Sequence, residues 1–435
     1  MAPDGRLATR LREFVAIEPG ELRAVLWSFA YFFAVLCSYY IIRPLRDEMG
    51  VTVGPDGLKY LFLVVFLVML AAVPFFGWVV ATFPRHRVAP IVYTFFIANL
   101  GAFWLLLVQG PPGFWLACAF FVWVSVFNLF VVSLFWCVMA DIWSSGDAKR
   151  VYGFIAAGGS AGAFVGPLLT QSLVHRVGAA NLLLISAALL GAAIVAVGAL
   201  RSAVKTAPSV PIAGPPAGRG VLQGALRVFK SPYLGNIAVW VLLANLISTF
   251  FYVEQARIVG ASITQQADRV QLFARIDLAV SLLTIGAQLL LTGNILRRIG
   301  VGWSVAALPA SSVLALLALA LSPTLAVLVA IIVVERTIQF ALSNPALRVL
   351  YTIVEPEEKY TAQSFIDTVV FRGGDAASAW MLSGLTRGLG LSTPLVAAVV
   401  VPFSLCWLAV SFGLGRMHEA RARVTEPVLE RTGRL

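Results

Sequence analysis

Three observations predict an all-α membrane protein of twelve transmembrane helices arranged as two pseudo-symmetric six-helix bundles. The 435 residues are 60% hydrophobic and 12% charged, against roughly 45–50% apolar and 25% charged in soluble domains. Twelve apolar runs approach or exceed the roughly 20 residues that a helix needs to cross about 30 Å of hydrocarbon. A stretch rich in proline and small residues, from Arg201 to Gly218, separates six of these runs from the other six.

In order, the spans are 22–43, 58–82, 88–109, 113–140, 150–174, 179–200, 233–256, 268–293, 301–321, 324–346, 359–384 and 391–415. Breaks fall where Gly and Pro leave the helix, at Gly54-Pro55, Gly110-Pro111-Pro112-Gly113, Gly178 and Ser322-Pro323. The first run is too long for the core of a signal peptide and lacks a small-residue cleavage site, so it is expected to remain as a membrane helix. The chain thus divides into a six-helix half over 1–200, a linker over 201–232, a second half over 233–415 and a tail over 416–435. Within the linker, Val221, Leu222, Ala225, Leu226, Val228 and Phe229 recur at helical spacing among Arg219, Arg227 and Lys230. That pattern fits a short amphipathic helix along the inner membrane surface, or a plain solvated helix before the seventh span.

Arginines and lysines concentrate in alternate connections: the N-terminal segment, Arg85/Arg87, Lys149/Arg150, the linker, Arg297/Arg298 and the C-terminal tail. This bias predicts a multi-pass protein of the cell (inner) membrane with both termini in the cytoplasm. The net charge of +11 therefore reports orientation in the lipid bilayer, and nucleic acid is not expected as a partner. Four cysteines inside apolar spans and three scattered histidines have no metal-ligand spacing, so no metal or other cofactor is expected.

The charges inside spans are the candidate functional residues. They are Arg275 and Asp277 in the eighth span, Glu335 and Arg336 in the tenth, and Asp367, Arg372 and Asp375 in the eleventh. A charge at the bilayer centre costs at least about 2.5–3.5 kcal/mol on insertion scales, so such groups should face other helices or a water-filled cavity. Glu335 and Arg372 count to similar depth, as do Asp375 and Arg275 nearer the outer side, and those two pairs are expected. Coupling ligand occupancy to movement is one role for them, and simple interhelical ion pairing is the other. Gly373-Gly374, between Arg372 and Asp375, suits a bend, a ligand or tight helix packing.

In the first half, Tyr40, Arg43 and Arg46 close the first span and Lys59 opens the second. Basic groups with aromatic neighbours there can gather and stack on an anionic, ring-bearing solute. An ordinary helix end neutralised by Asp47 and Glu48 is the alternative. Asn128, in Asn128-Leu-Phe-Val-Val-Ser133-Leu-Phe135-Trp136 of the fourth span, is a further candidate contact.

Gly77-Trp-Val-Val-Ala81-Thr-Phe-Pro84-Arg85-His86-Arg87 and Gly293-Asn-Ile-Leu-Arg297-Arg298-Ile-Gly300 stand at corresponding places in the two halves. They resemble the basic turn Gly-x-x-x-Asp-Arg-x-Gly-Arg of the major facilitator superfamily, with Ala81 and Arg297 at the Asp position. The spacing of Gly153, Gly162, Gly166 and Pro167 resembles that superfamily's antiporter motif, and it also suits ordinary close packing. The resemblance implies that spans three, six, nine and twelve are outer supports, and those four carry no Asp, Glu, Lys or Arg.

A narrower resemblance is to the bacterial and plastid nucleotide (ATP:ADP) antiporters. It rests on Arg43-Pro-Leu-Arg46-Asp47, Lys59, Ser133-Leu-Phe135-Trp136, Asp147-Ala-Lys149-Arg150-Val-Tyr152 and Asp367-Thr-Val-Val-Phe-Arg372-Gly373-Gly374-Asp375. By position it implies that Arg46 and Lys59 face phosphate, although Arg46 and Asp375 each replace a lysine of that family. The resemblance implies a secondary transporter working by alternating access, an antiporter of a small organic anion. A proton-coupled exporter, with the proton on Asp367, Asp375 or Glu335, and a non-transporting membrane sensor or scaffold stay open. No Walker-type loop, catalytic triad or metal-binding helix is visible, so no enzymatic chemistry is expected.

Overall fold

A computed structural model of the protein describes residues 21–143, 145–204 and 219–431. The polar N-terminal segment and most of the linker lie outside the described residues. The described chain forms α1 (Leu22–Thr82), α2 (Arg85–Val108), α3 (Phe114–Ile142), α4 (Ser145–Val177), α5 (Leu182–Ala203) and α6 (Arg219–Lys230). It continues through α7 (Pro232–Ser262), α8 (Gln266–Ile299), α9 (Val301–Leu321), α10 (Leu325–Ile353), α11 (356–388) and α12 (Thr393–Arg431).

Ten of the described helices are long and apolar enough to cross a membrane. The first, α1, has 61 residues, which at about 1.5 Å each is far more than one crossing requires. It holds the first and second spans. With α11, the eleventh, the total is twelve. Helices are what such a sequence must form, because hydrocarbon offers no partner for an unpaired backbone N–H or C=O.

The sequence separates the first two spans with a break at Gly54-Pro55, and the structure has it there: two helices meet across a kink, with helix in place of a loop over the rest of 44–57. The helix departs from helical geometry at Gly54 alone, with φ 75° and ψ 164°, a conformation that glycine adopts without steric cost. Downstream, Ser231 caps α7 with Pro232 in its first turn, and Thr324 caps α10. Turns of π-helix interrupt α8 at Gln288–Thr292, α10 at Gln339–Ser343 and α11 at Ile366–Val370 and Gly384–Gly388. The last helix runs to Arg431, well past the predicted end of the twelfth span at 415.

Contacts sort the described residues into two compact units, 21–49, 75–204 and 265–278 in one, and 50–74, 219–264 and 279–431 in the other. Relative to the sequential halves, two stretches change places. Residues 50–74 find their partners in the second unit: Val51 against Gly260, Phe62 against Tyr252, Phe66 against Gly373 and Asp56 with Arg387. Residues 265–278 find theirs in the first, where Arg269 and Gln266 meet Glu48 and Gln271 donates to the Gln171 carbonyl.

In the first unit, α4 lies against the first span through glycines. A Cβ on Gly158 would stand 2.5 Å from the Phe29 carbonyl oxygen, one on Gly162 2.5 Å from that of Phe33, and one on Gly166 2.7 Å from Tyr40 Cβ. Nothing lies within 4 Å of such an atom on Gly153. Gly162 and Gly166 of the motif, together with Gly158, therefore serve tight helix packing, and the motif's first glycine does not.

Candidate functional site

In the first unit the end of the first span carries two half-buried arginines. Arg43 Nε lies 3.7 Å from the Asp277 carboxylate, with side chains 15% and 2% exposed. The guanidinium carbon also sits 5.4 Å from the Tyr40 ring centroid. Arg46 stacks on Phe121, 3.9 Å from the ring centroid, and its Nη1 is 3.3 Å from the carboxylate of the adjacent Asp47. Its Nε–H is buried and has no hydrogen-bond partner among the described residues. A guanidinium presents five donors in a rigid fork suited to carboxylate or phosphate. One ion-pair contact and one aromatic face leave most of that fork uncommitted.

The predicted clustering of Arg43, Arg46 and Lys59 is divided between the units. Lys59 belongs to the second, where its Nζ donates to Ser383 Oγ at 2.9 Å and stands 5.2 and 5.1 Å from the Tyr60 and Trp380 ring centroids. Aromatic neighbours of the kind expected are present there. Asn128 is half-buried in α3, and its side chain makes no hydrogen bond among the described residues.

The second unit contains a cavity of about 140 Å³ between α7 and α10, closed by Leu308 of α9 and Trp407 of α12. Its polar lining is Ser248, Tyr252, Gln255, Glu335, Arg336 and Gln339. Trp407 is 1% exposed and its indole N–H lacks a hydrogen-bond partner among the described residues. Glu335 accepts from Ser311 Oγ at 2.6 Å and from Ser312 Oγ at 2.7 Å, one hydroxyl on each carboxylate oxygen.

The expected Glu335–Arg372 pair is corrected by this geometry. Glu335 is held by the two serines of α9, not by Arg372, because α10 turns that face toward α9. Arg372 instead pairs with Asp375 at 3.7 Å, three residues along the same helix. Arg275, in the first unit, is exposed and forms no ion pair among the described residues. Asp367, at the π turn of α11, pairs at 3.5 Å with Arg348, both side chains more than half exposed. Gly374 is a close-packing position, since a Cβ there would lie 2.6 Å from Asn245 Nδ2.

Sequence reasoning missed Ser311, Ser312, Phe121 and the pairing of Arg43 with Asp277. Ser311 and Ser312 sit in a span with no charged residue, and nothing in their pattern marked them. The Arg43–Asp277 pair had a signal, because both residues count to the outer half of their spans. Phe121 had none beyond being one of many aromatic residues.

The family model described as Major Facilitator Superfamily matches residues 24–379. No curated protein matches the chain. Among solved structures, the POT family transporter PepTSo is 15% identical over 92% of this chain and 98% of its own, with a TM-score of 0.64. A bacterial homolog of the human lysosomal transporter Spinster is 12% identical over 93% and 99%, with a TM-score of 0.56. A mutant of the nucleoside transporter NupG is 18% identical over 93% and 100%, with a TM-score of 0.52. At these identities the likeness is one of fold.

Proposed function

The chain belongs to the major facilitator superfamily and is a membrane transporter of that type, and we propose that it exchanges small organic anions, nucleotide-like in kind, by alternating access. One observation carries this reading: Arg46 is stacked on Phe121 and holds a buried Nε–H with no partner among the described residues. A guanidinium in that condition is stabilised by an anion that takes up its spare donors, and the aromatic surface beside it suits a planar solute. Arg43 adds a second cation whose carboxylate partner stands at 3.7 Å, a spacing at which an incoming anion competes with Asp277. The resemblance of Arg43-Pro-Leu-Arg46-Asp47 and Lys59 to the nucleotide antiporters supports the same class. In this reading the sequential halves 1–200 and 233–415 are the moving bodies, and the arginine and lysine bias supports an inner-membrane protein with both termini in the cytoplasm.

The test is counterflow of labelled ADP and of labelled small carboxylates into liposomes holding the purified protein, with no pH gradient. Exchange is expected, and Arg46→Met or Lys59→Met should reduce its rate by at least about tenfold, the effect of losing roughly 1.4 kcal/mol of charge-assisted bonding. Asp367→Asn should change it much less. Absence of counterflow with every anion offered, or equal losses in all three variants, would end the anion reading.

A second reading, proton-coupled export, is favoured by the hydroxyls around Glu335. Ser311 Oγ and Ser312 Oγ also lie 2.8 and 2.9 Å, respectively, from the Leu308 carbonyl oxygen. A hydroxyl has one proton, so each serine donates either to Glu335 or to that carbonyl. An ionised Glu335 takes both donations; a protonated one donates to a serine whose own proton turns to Leu308. The network therefore accommodates both states of Glu335 with its heavy atoms in place. Glu335→Gln is expected to leave symmetric-pH exchange intact while abolishing accumulation driven by a pH gradient. Retention of gradient-driven accumulation in that variant would remove Glu335 as the proton carrier.

A further inference from the structure

The linker helix α6 has two dissimilar faces. Gly224 and Val228, one turn apart, are buried. At Gly224 the helix closes on the start of α11: an added Cβ would collide with the Thr361 carbonyl oxygen and lie 2.9 Å from Phe365 Cβ. Arg227 adds a hydrogen bond to Thr361 Oγ1 at 2.8 Å. On the opposite side Leu226 is 53% exposed and Phe229 is 83% exposed, beside the exposed Lys230. The helix contains Arg219, Arg227 and Lys230 and no acidic residue. Only Ser231 separates Lys230 from Pro232, where the membrane-crossing α7 begins. That short connection holds α6 at the edge of the hydrocarbon.

We propose that α6 binds the anionic headgroup layer of the bilayer and that lipid held there restrains the first turns of α11. Phe229 and Leu226 enter the boundary between headgroups and acyl chains, and Lys230 meets lipid phosphate. This combination of an apolar edge and basic charge is what draws an interfacial helix to an anionic surface. Gly224 leaves no slack between α6 and α11, so a displacement of α6 toward the membrane is passed to residues 356–366. Those residues lead into the π turn that carries Asp367.

The test uses backbone hydrogen exchange of the full chain in nanodiscs, which needs no transported solute and so succeeds or fails independently of the anion-exchange reading. One set of discs contains phosphatidylcholine only; in the other, about a third of that lipid is phosphatidylglycerol, which gives a strongly anionic surface. Exchange in both α6 and 356–366 is expected to slow in the anionic discs by about fivefold for each basic residue engaged. Phe229→Ser with Lys230→Gln should abolish the difference in both segments. Lys230→Gln alone, which alters only an exposed charge, should reduce it by about fivefold. Equal exchange in the two lipids would overturn the proposal. So would slowing confined to α6, or an undiminished response in either variant.

Discussion

Replacing Arg43 by methionine should lower stability by about 3–5 kcal/mol, the range seen when one member of a buried ion pair is removed, and should stop anion exchange. The Asp277 carboxylate, 2% exposed, then loses the guanidinium beside it. Adding Asp277→Leu should restore most of the lost stability, because a buried pair replaced whole by apolar groups is close to neutral. It should not restore exchange, because no cation then remains at this position to meet the solute. Thermal unfolding of the purified variants and counterflow in liposomes read the two outcomes separately. A double variant that transports normally would show the pair to be structural only.

Gly162→Leu should be more damaging still, yielding little or no monodisperse protein. The first atom of any side chain there would lie 2.5 Å from the Phe33 carbonyl oxygen and 2.8 Å from Cys37 N. Both are backbone atoms of a neighbouring helix, so neither can rotate away, and relief requires the helices to part. Overpacking of well-packed interiors typically costs about 1–3 kcal/mol, and a backbone obstruction places this case at or beyond the upper end. Gly153→Leu, at the first glycine of the same motif, should be tolerated, since nothing lies within 4 Å of its Cβ position. Size-exclusion profiles and melting temperatures of the two variants decide the matter; similar behaviour would refute the packing account.

The fold was legible because hydropathy and helix-breaking residues act locally. An apolar run must be helical in lipid whatever it packs against, and Gly110 to Gly113 or Ser322-Pro323 end helices without help from the rest of the chain. The break at Gly54-Pro55 was legible for the same reason, although helix runs up to it from both sides through the rest of 44–57. The site was legible only in depth. Counting residues along a span gives height in the membrane but not the direction in which a side chain leaves the helix, so Glu335 and Arg372 looked like partners. The π turn Ile366–Val370 stands just before Arg372 and adds a residue that rotates the helix beyond it by about 100° relative to a regular one. No hydropathy pattern reveals that rotation. Ser311 and Ser312 were invisible for a different reason, since small hydroxyls are ordinary in membrane helices until a carboxylate is found beside them.

The length of α1 carries a mechanical corollary. A hydrogen-bonded helix conveys torsion from end to end, because each turn is tied to the next, and a shaft formed of two such helices, as α1 is, conveys it only as far as the kink between them. Gly54, with φ at 75°, uncouples that shaft at a single pair of dihedrals. Pro55 follows it without a backbone N–H, so the hydrogen-bond ladder has a gap at this point.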